Sequence, residues 1–270
     1  MINHFTIELL KALINHEFSN KKIRRPQTKE TEHYIKVIMK VLRTGMQWKY
    51  LNEPLNYTTY YKKLKQWSDH QIFEKAFYLL TKTKHFLDLI GNDFFIDSCI
   101  IRNKGGLKTE MIGPSYKHKF KNGTKVTIIS DCYGIPISMS LSKAQVSDVK
   151  MVLPCLSKIK FNLSKIKNLG GDKGYVSKNL KNQLKKKDIN YLYYDKKNTK
   201  SNNRLTSSEK LIMKKRIAVE HTFSWIQQYR KLTDRYEKHI KSFESFIYLS
   251  LFNIVCSKID ITFFETIQVN

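Results

Sequence analysis

The sequence predicts an α/β fold, a mixed sheet flanked by helices and preceded by a small all-helical module. Three observations predict it. Up to about residue 90, apolar positions recur at helical spacing. At Gly91-Asn92 the periodicity changes to short, β-prone runs. Beyond that point three strand-like runs neighbour one another, and strands then alternate with helical stretches, which implies a mixed sheet with helices on its faces. With 270 residues, 41% of them apolar and 12% aromatic, the chain can bury a large core and does not have a disordered composition.

The first module spans residues 1–90. Phe5 to Ile14 is a short apolar helix candidate, and the basic stretch from Asn20 to Pro26 is a loop. From Lys29, the positions Tyr34, Ile35, Ile38, Val41 and Leu42 form one apolar face, and Gly45 is the stop. Asn56-Tyr57-Thr58-Thr59 supplies a cap for a helix with Tyr60, Tyr61, Leu64 and Trp67 on one side and Lys62, Lys63 and Lys65 on the other. A further helix is expected over 71–89. Trp48 and Trp67 are read as core residues. Basic helices joined by short turns suit DNA binding.

The second module spans 91–260. Phe94 to Ser98 is the first strand, followed by a Gly- and Lys-rich loop from Arg102 to Gly123. Lys125 to Ser130 and Ile135 to Leu141 form a hairpin through Asp131-Cys132-Tyr133-Gly134. A helix is expected from Val146 to Ile159, a strand from Ile166 to Gly171, a helix over 177–187 and a strand from Ile189 to Tyr194. A polar loop runs from Asp195 to Arg204. One long helix is expected from Ser207 to Gln228. The last helix, Phe243 to Ser257, is apolar almost all round and therefore buried.

Charge narrows the function class. The chain carries 49 basic against 23 acidic residues, a net charge of +26. Eight of the basic residues are Arg, so the surface field is mainly a diffuse lysine field. Such a field favours a polyanion, nucleic acid first, and predicts salt-dependent binding. Four scattered Cys without CxxC spacing exclude a zinc site and a disulfide framework. The longest apolar run, Phe246 to Cys256, is too short to span a bilayer, and the N-terminus lacks a signal-peptide layout. A cytoplasmic, nucleoid-associated protein with no membrane partner is expected.

Three carboxylates stand at element ends or on a helix: Asp97, Asp172 and Glu220, separated by 75 and 48 residues. If the first and fourth strands are neighbours, both aspartates project at one sheet edge, and the following helix can bring Glu220 there. Converging carboxylates favour hard divalent cations, Mg²⁺ or Mn²⁺. Two such ions suit phosphodiester chemistry. Asp131 is read as a turn residue and Asp148 as a helix start; Asp93 and Glu237 are weaker rivals. Arg216 lies one helical turn before Glu220 and can pair with it or contact phosphate. Lys173, Arg230 and Lys231 are candidate phosphate contacts.

These residues carry a resemblance. Phe95-Ile96-Asp97-Ser98, Asp131-Cys132-Tyr133-Gly134-Ile135-Pro136 and Gly171-Asp172-Lys173-Gly174-Tyr175 come first, in that order. Arg216 to Trp225 follows, then Tyr229-Arg230-Lys231-Leu232 and Arg235-Tyr236-Glu237. Together they resemble bacterial insertion-sequence transposases of the IS5 group, within the IS4-like DDE superfamily. Val41 to Trp48 is similar to that group's leading helical segment. Met213 and Gln227 stand where the wider superfamily often has Tyr and Lys, and His221 where the group often has Arg. The resemblance implies an RNase H-like core with the catalytic, metal-holding triad at Asp97, Asp172 and Glu220. It implies Mg²⁺-dependent cleavage at transposon ends, with two ions and Mn²⁺ as a substitute, and strand transfer into target DNA. The partners it implies are double-stranded terminal inverted repeats and target DNA, with a homodimer or higher oligomer on DNA. Two other readings share these features: a DNA-binding protein that keeps the fold without catalysis, and a nuclease that performs no strand transfer.

Overall fold

A computed structural model of the chain describes residues 4–18, 28–116, 119–195 and 205–259. The basic loop expected at Asn20 to Pro26 lies outside the described residues, as does most of the loop from Asp195 to Arg204. The chain divides into two compact units. One holds the described residues up to Leu80, Lys104–Glu110 and those from Ile226 onward. The other holds Thr81–Asn103 and Met111–Trp225.

The first unit is helical. Its elements are α1 (His4–Phe18), α2 (Thr28–Thr44), α3 (Tyr57–Asp69) and α4 (Ile72–Leu80). Asn56 caps α3 by accepting a hydrogen bond from the Thr58 amide at 3.0 Å, as its sequence position predicts. The stretch expected as one helix over 71–89 is two: α4 ends at Leu80 and α5 (Lys84–Leu89) restarts in the other unit, capped by Thr83. A threonine at a cap satisfies free amides that a continuous helix would not leave.

The apolar C-terminal helix, α10 (Ile240–Lys258), groups with these N-terminal helices. Residues from Phe243 to Cys256 are buried almost without a break. An all-round apolar helix needs partners on every side, and α1, α3 and α4 supply them. The few polar groups there are hydrogen-bonded. The Tyr248 hydroxyl donates to Glu74 at 3.0 Å, and the Thr6 hydroxyl donates to Asn253 at 3.3 Å. Among the described residues no helix is long and apolar enough to cross a membrane.

The second unit holds the sheet. Its strands are β1 (Asp93–Asn103), β2 (Gly113–Pro114), β3 (Asn122–Asp131), β4 (Pro136–Lys143), β5 (Asn168–Gly171) and β6 (Asn190–Tyr193). The path runs β3-β1-β5-β6, and β2 and β4 each pair with β3. β1, β3 and β4 are antiparallel neighbours, whereas β5 and β6 join parallel through helical crossovers, α6 (Val152–Ser157) and α7 (Lys178–Lys185). β1 runs on to Asn103, five residues beyond the expected strand. The long helix expected over 207–228 is broken into α8 (Ser207–Lys214) and α9 (Ile217–Gln227). A capping box of Thr206 and Glu209 starts α8.

Asp131 organises the hairpin between β3 and β4. Its carboxylate is buried and accepts backbone amides from Ile135 at 2.8 Å, Tyr133 at 3.0 Å and Gly91 at 3.1 Å. Burial raises its pKa and these amides partly offset the rise. Asp131→Ala leaves three amides without an acceptor. It is expected to lower stability by about 2–4 kcal/mol, read by chemical denaturation.

Candidate active site

The site begins with strand pairing. β1 and β5 run parallel in the register Phe94 with Leu169, Phe95 with Gly170 and Ile96 with Gly171. Carried one residue further, that register sets Asp97 beside Asp172. The first and fourth strands are therefore neighbours, as the two-aspartate reading requires.

The two glycines before Asp172 are what allow this. A Cβ on Gly170 would stand 2.8 Å from the Phe95 ring and 2.9 Å from the Met213 sulfur. A Cβ on Gly171 would stand 2.7 Å from Cβ of Tyr175. β5 is thus pressed between an aromatic ring and α8 on one side and the turn after Asp172 on the other. Phe94, Phe95 and Ile96 are fully buried, which anchors the stretch of β1 that leads into Asp97.

Asp172 itself caps the turn that follows it. Its Oδ1 accepts the Gly174 amide at 2.7 Å. The Tyr175 hydroxyl meets the Ser98 hydroxyl at 2.7 Å, and Ser98 meets Thr127 at 2.7 Å across the β1–β3 pair. Burial pushes the Tyr175 hydroxyl far above the usual tyrosine range, and the Ser98 bond only partly opposes this. Tyr175 is therefore neutral and ties the turn to the strand beside Asp97.

Glu220 lies on α9, which packs on the hairpin turn. Buried Thr222 donates to the Gly134 carbonyl at 2.7 Å. Gly134 has φ +81°, and a Cβ there would stand 2.8 Å from the Ala218 carbonyl oxygen. The Glu220 side chain is 53% exposed and faces outward, although Val219 and Phe223 on the same helix are buried. Arg216 stands at the break between α8 and α9. Its guanidinium bridges two carboxylates, Asp97 at 3.3 Å and Glu220 at 3.0 Å. The helix break places this cation next to the middle of β1.

Asp97 and Glu220 are thus each in contact with Arg216, and Asp172 follows the last paired residue of β5. Among the described residues no group of three His, Cys, Asp or Glu side chains is arranged to hold a metal ion. Carboxylate oxygens are nevertheless the donor type that hard divalent ions take. A guanidinium cation stands between two of the carboxylates.

Lys173 and Arg230 are exposed. Lys231 is not a surface cation: its side chain is 5% exposed and pairs with Glu237 at 2.9 Å. The sequence places Lys231 in a basic run, but the following turn carries a carboxylate back to it. The rival Asp93 is held by Lys215 at 3.1 Å and by the Asn168 side chain.

The residue that sequence reasoning undervalued is Asp148. It sits at the start of a helical turn, as expected, but its carboxylate is held by buried Lys125, which also donates to the Val146 carbonyl. A Cβ on Gly174 would stand 2.9 Å from Asp172 Oδ1 and 3.0 Å from Asp148 Oδ2. Both carboxylates therefore border the same point. A lysine opening an otherwise apolar strand was the available signal.

A strand order with an antiparallel hairpin, two parallel additions, a carboxylate within one central strand and another just after its neighbour defines a ribonuclease H-like fold. Residues 91–252 match the model of the transposase DDE domain family, and the chain belongs to that family. It is a DNA transposase, and the family works with a divalent metal. A relative named as a transposase for insertion sequence element IS402, from Burkholderia cepacia, is 28% identical over 163 residues. That match covers 58% of this chain and 71% of the relative. Among solved structures, the piggyBac transposase synaptic complex with hairpin DNA aligns with a TM-score of 0.50 and 12% identity. It covers 94% of this chain and 72% of that one, and at this identity the likeness concerns the fold alone.

Gly170→Ala tests the packing that sets the two aspartates side by side. The added methyl must displace the Phe95 ring or the Met213 sulfur. A loss of about 1–3 kcal/mol in urea denaturation is expected.

Proposed function

We propose that this chain cuts DNA at the ends of an insertion sequence and joins the freed 3′ ends to target DNA. The observation that carries the proposal is the parallel register of β1 and β5, which sets Asp97 beside Asp172, with Arg216 and Glu220 gathered at Asp97. Asp97, Asp172 and Glu220 would hold two Mg²⁺ ions, with Mn²⁺ as a substitute. Bound there, the ions would activate water or a 3′-hydroxyl and stabilise the leaving oxygen at phosphorus.

The chain's own residues do the rest. The middle of β1 and the end of β5 hold two carboxylates, while the exposed Glu220 side chain approaches from a helix. Arg216 holds positive charge at the point where a phosphate would sit, and it can exchange its carboxylate partners for phosphate oxygens. Lys173 and Arg230 are exposed cations suited to backbone phosphates. Lys231, buried and paired, is left out of that set. Recognition of the terminal inverted repeats falls to the helices of residues 1–90, and catalysis to residues 91–260. Two ends must be brought together, so a dimer or larger assembly forms on DNA. The site of action is the nucleoid in the cytoplasm.

The test is a strand-cleavage assay with Mg²⁺ on DNA carrying the element's own ends. Removing an outer-shell partner of a metal ligand alone costs about 10–100-fold. Asp97→Asn, Asp172→Asn and Glu220→Gln should therefore each lose at least about a hundredfold in cleavage while still binding duplex DNA. Cleavage by Asp97→Asn at the unmodified rate would sink the assignment. In a separate titration, duplex affinity should fall by at least about tenfold between 50 and 200 mM salt, because phosphate contacts release counterions.

A further inference from the structure

We propose that the helical unit carries a pocket for one unpaired nucleobase, built on Trp48, Tyr61, Tyr236 and Glu237. The inference rests on the DNA reading above and adds a second contact site outside the carboxylate centre.

The cleft encloses about 480 Å³ and is lined from both ends of the helical unit. That volume lies in the range of small-ligand sites. Its walls are aromatic. Trp48 is braced on two sides, stacked on Phe246 with ring centroids 6.3 Å apart and edge-on to Tyr61 at 5.8 Å. Tyr236 is 55% exposed, and its ring lies 5.8 Å from the Lys231 ammonium. Trp48, read from sequence as a core residue, is only half-buried. Trp67, by contrast, is 1% exposed and belongs to the core.

The wall of the cleft also carries an unmet acceptor. The Glu237 side chain is 5% exposed, and its Oε1 is taken by Lys231 at 2.9 Å. Its Oε2 is buried and has no hydrogen-bond partner. A buried carboxylate oxygen without a donor is costly, so the cleft favours a ligand that brings an N–H to that atom. The ligand must also be flat and aromatic enough to lie against Trp48 and Tyr236. Nucleobases combine a π-face with N–H donors on one edge, and in a chain of net charge +26 they are the flat, N–H-bearing groups most readily delivered. A base inside a duplex cannot present both its face and that edge, so the occupant is unpaired or extruded.

The experiment compares three fluorescently labelled probes by anisotropy: a plain duplex, the same duplex with one bulged adenine, and one with a bulged abasic analogue. Base–aromatic stacking alone is worth about tenfold in affinity. The full-length protein should bind the bulged adenine about tenfold more tightly than the abasic bulge. Tyr236→Ala, at an exposed position, should erase that difference while leaving plain-duplex affinity and melting temperature unchanged. Glu237→Gln should reduce it, and a melting curve checks that the variant folds. Equal affinity for the adenine and abasic bulges overturns the pocket while leaving the transposase reading intact. A preference that survives both Tyr236→Ala and Trp48→Ala overturns it as well. If none of the three probes binds, the DNA reading fails and the pocket fails with it.

Discussion

The parallel pairing of β1 with β5 is the constraint on which the rest of the site depends. Two aspartates that are 75 residues apart become neighbours only because Ile96 pairs with Gly171. That pairing needs both Gly170 and Gly171, since any side chain there would collide with Phe95, Met213 or Tyr175. The buried aromatic run before Asp97 and the glycine pair before Asp172 are two halves of one device. One supplies rigidity through burial, and the other permits close approach through the lack of a side chain.

Electrostatics explains the arrangement around that device. Carboxylates placed together repel, and each is given a partner. Arg216 bridges Asp97 and Glu220, the Gly174 amide caps Asp172, and buried Lys125 holds Asp148. The chain thus concentrates negative charge at one sheet edge within a strongly positive molecule. A partner of opposite charge is drawn in by the long-range field. Asp131 is the contrasting case. It is as buried as any carboxylate in the unit, but three backbone amides satisfy it, so its role is to shape the hairpin that receives α9.

Much of this was legible in the residues. The change of periodicity at Gly91-Asn92, the hairpin at Asp131 and the strand ending on Asp172 all follow from local rules. So does the cap at Asn56. Local rules failed where a long-range partner decided the outcome. The stretch over 207–228 has continuous helical periodicity, yet it breaks beside Arg216, whose guanidinium reaches Asp97 on β1, 119 residues earlier. Lys231 looks like a surface cation in a basic run, but Glu237 draws it inside. Glu220 has apolar neighbours, but helical geometry turns its own side chain outward.

By itself, the sequence determined the fold class and the family and nominated three carboxylates, because these depend on residue type, local periodicity and order. Only the tertiary structure decided which strands pair, where Arg216 reaches and that α10 packs with the N-terminal helices. It alone brought Asp148 to the point bordered by Asp172. Each of these is a contact between residues far apart in the chain, and no local propensity encodes it. Such contacts form because burying one face leaves a single arrangement in which every buried strand edge and charge finds a partner.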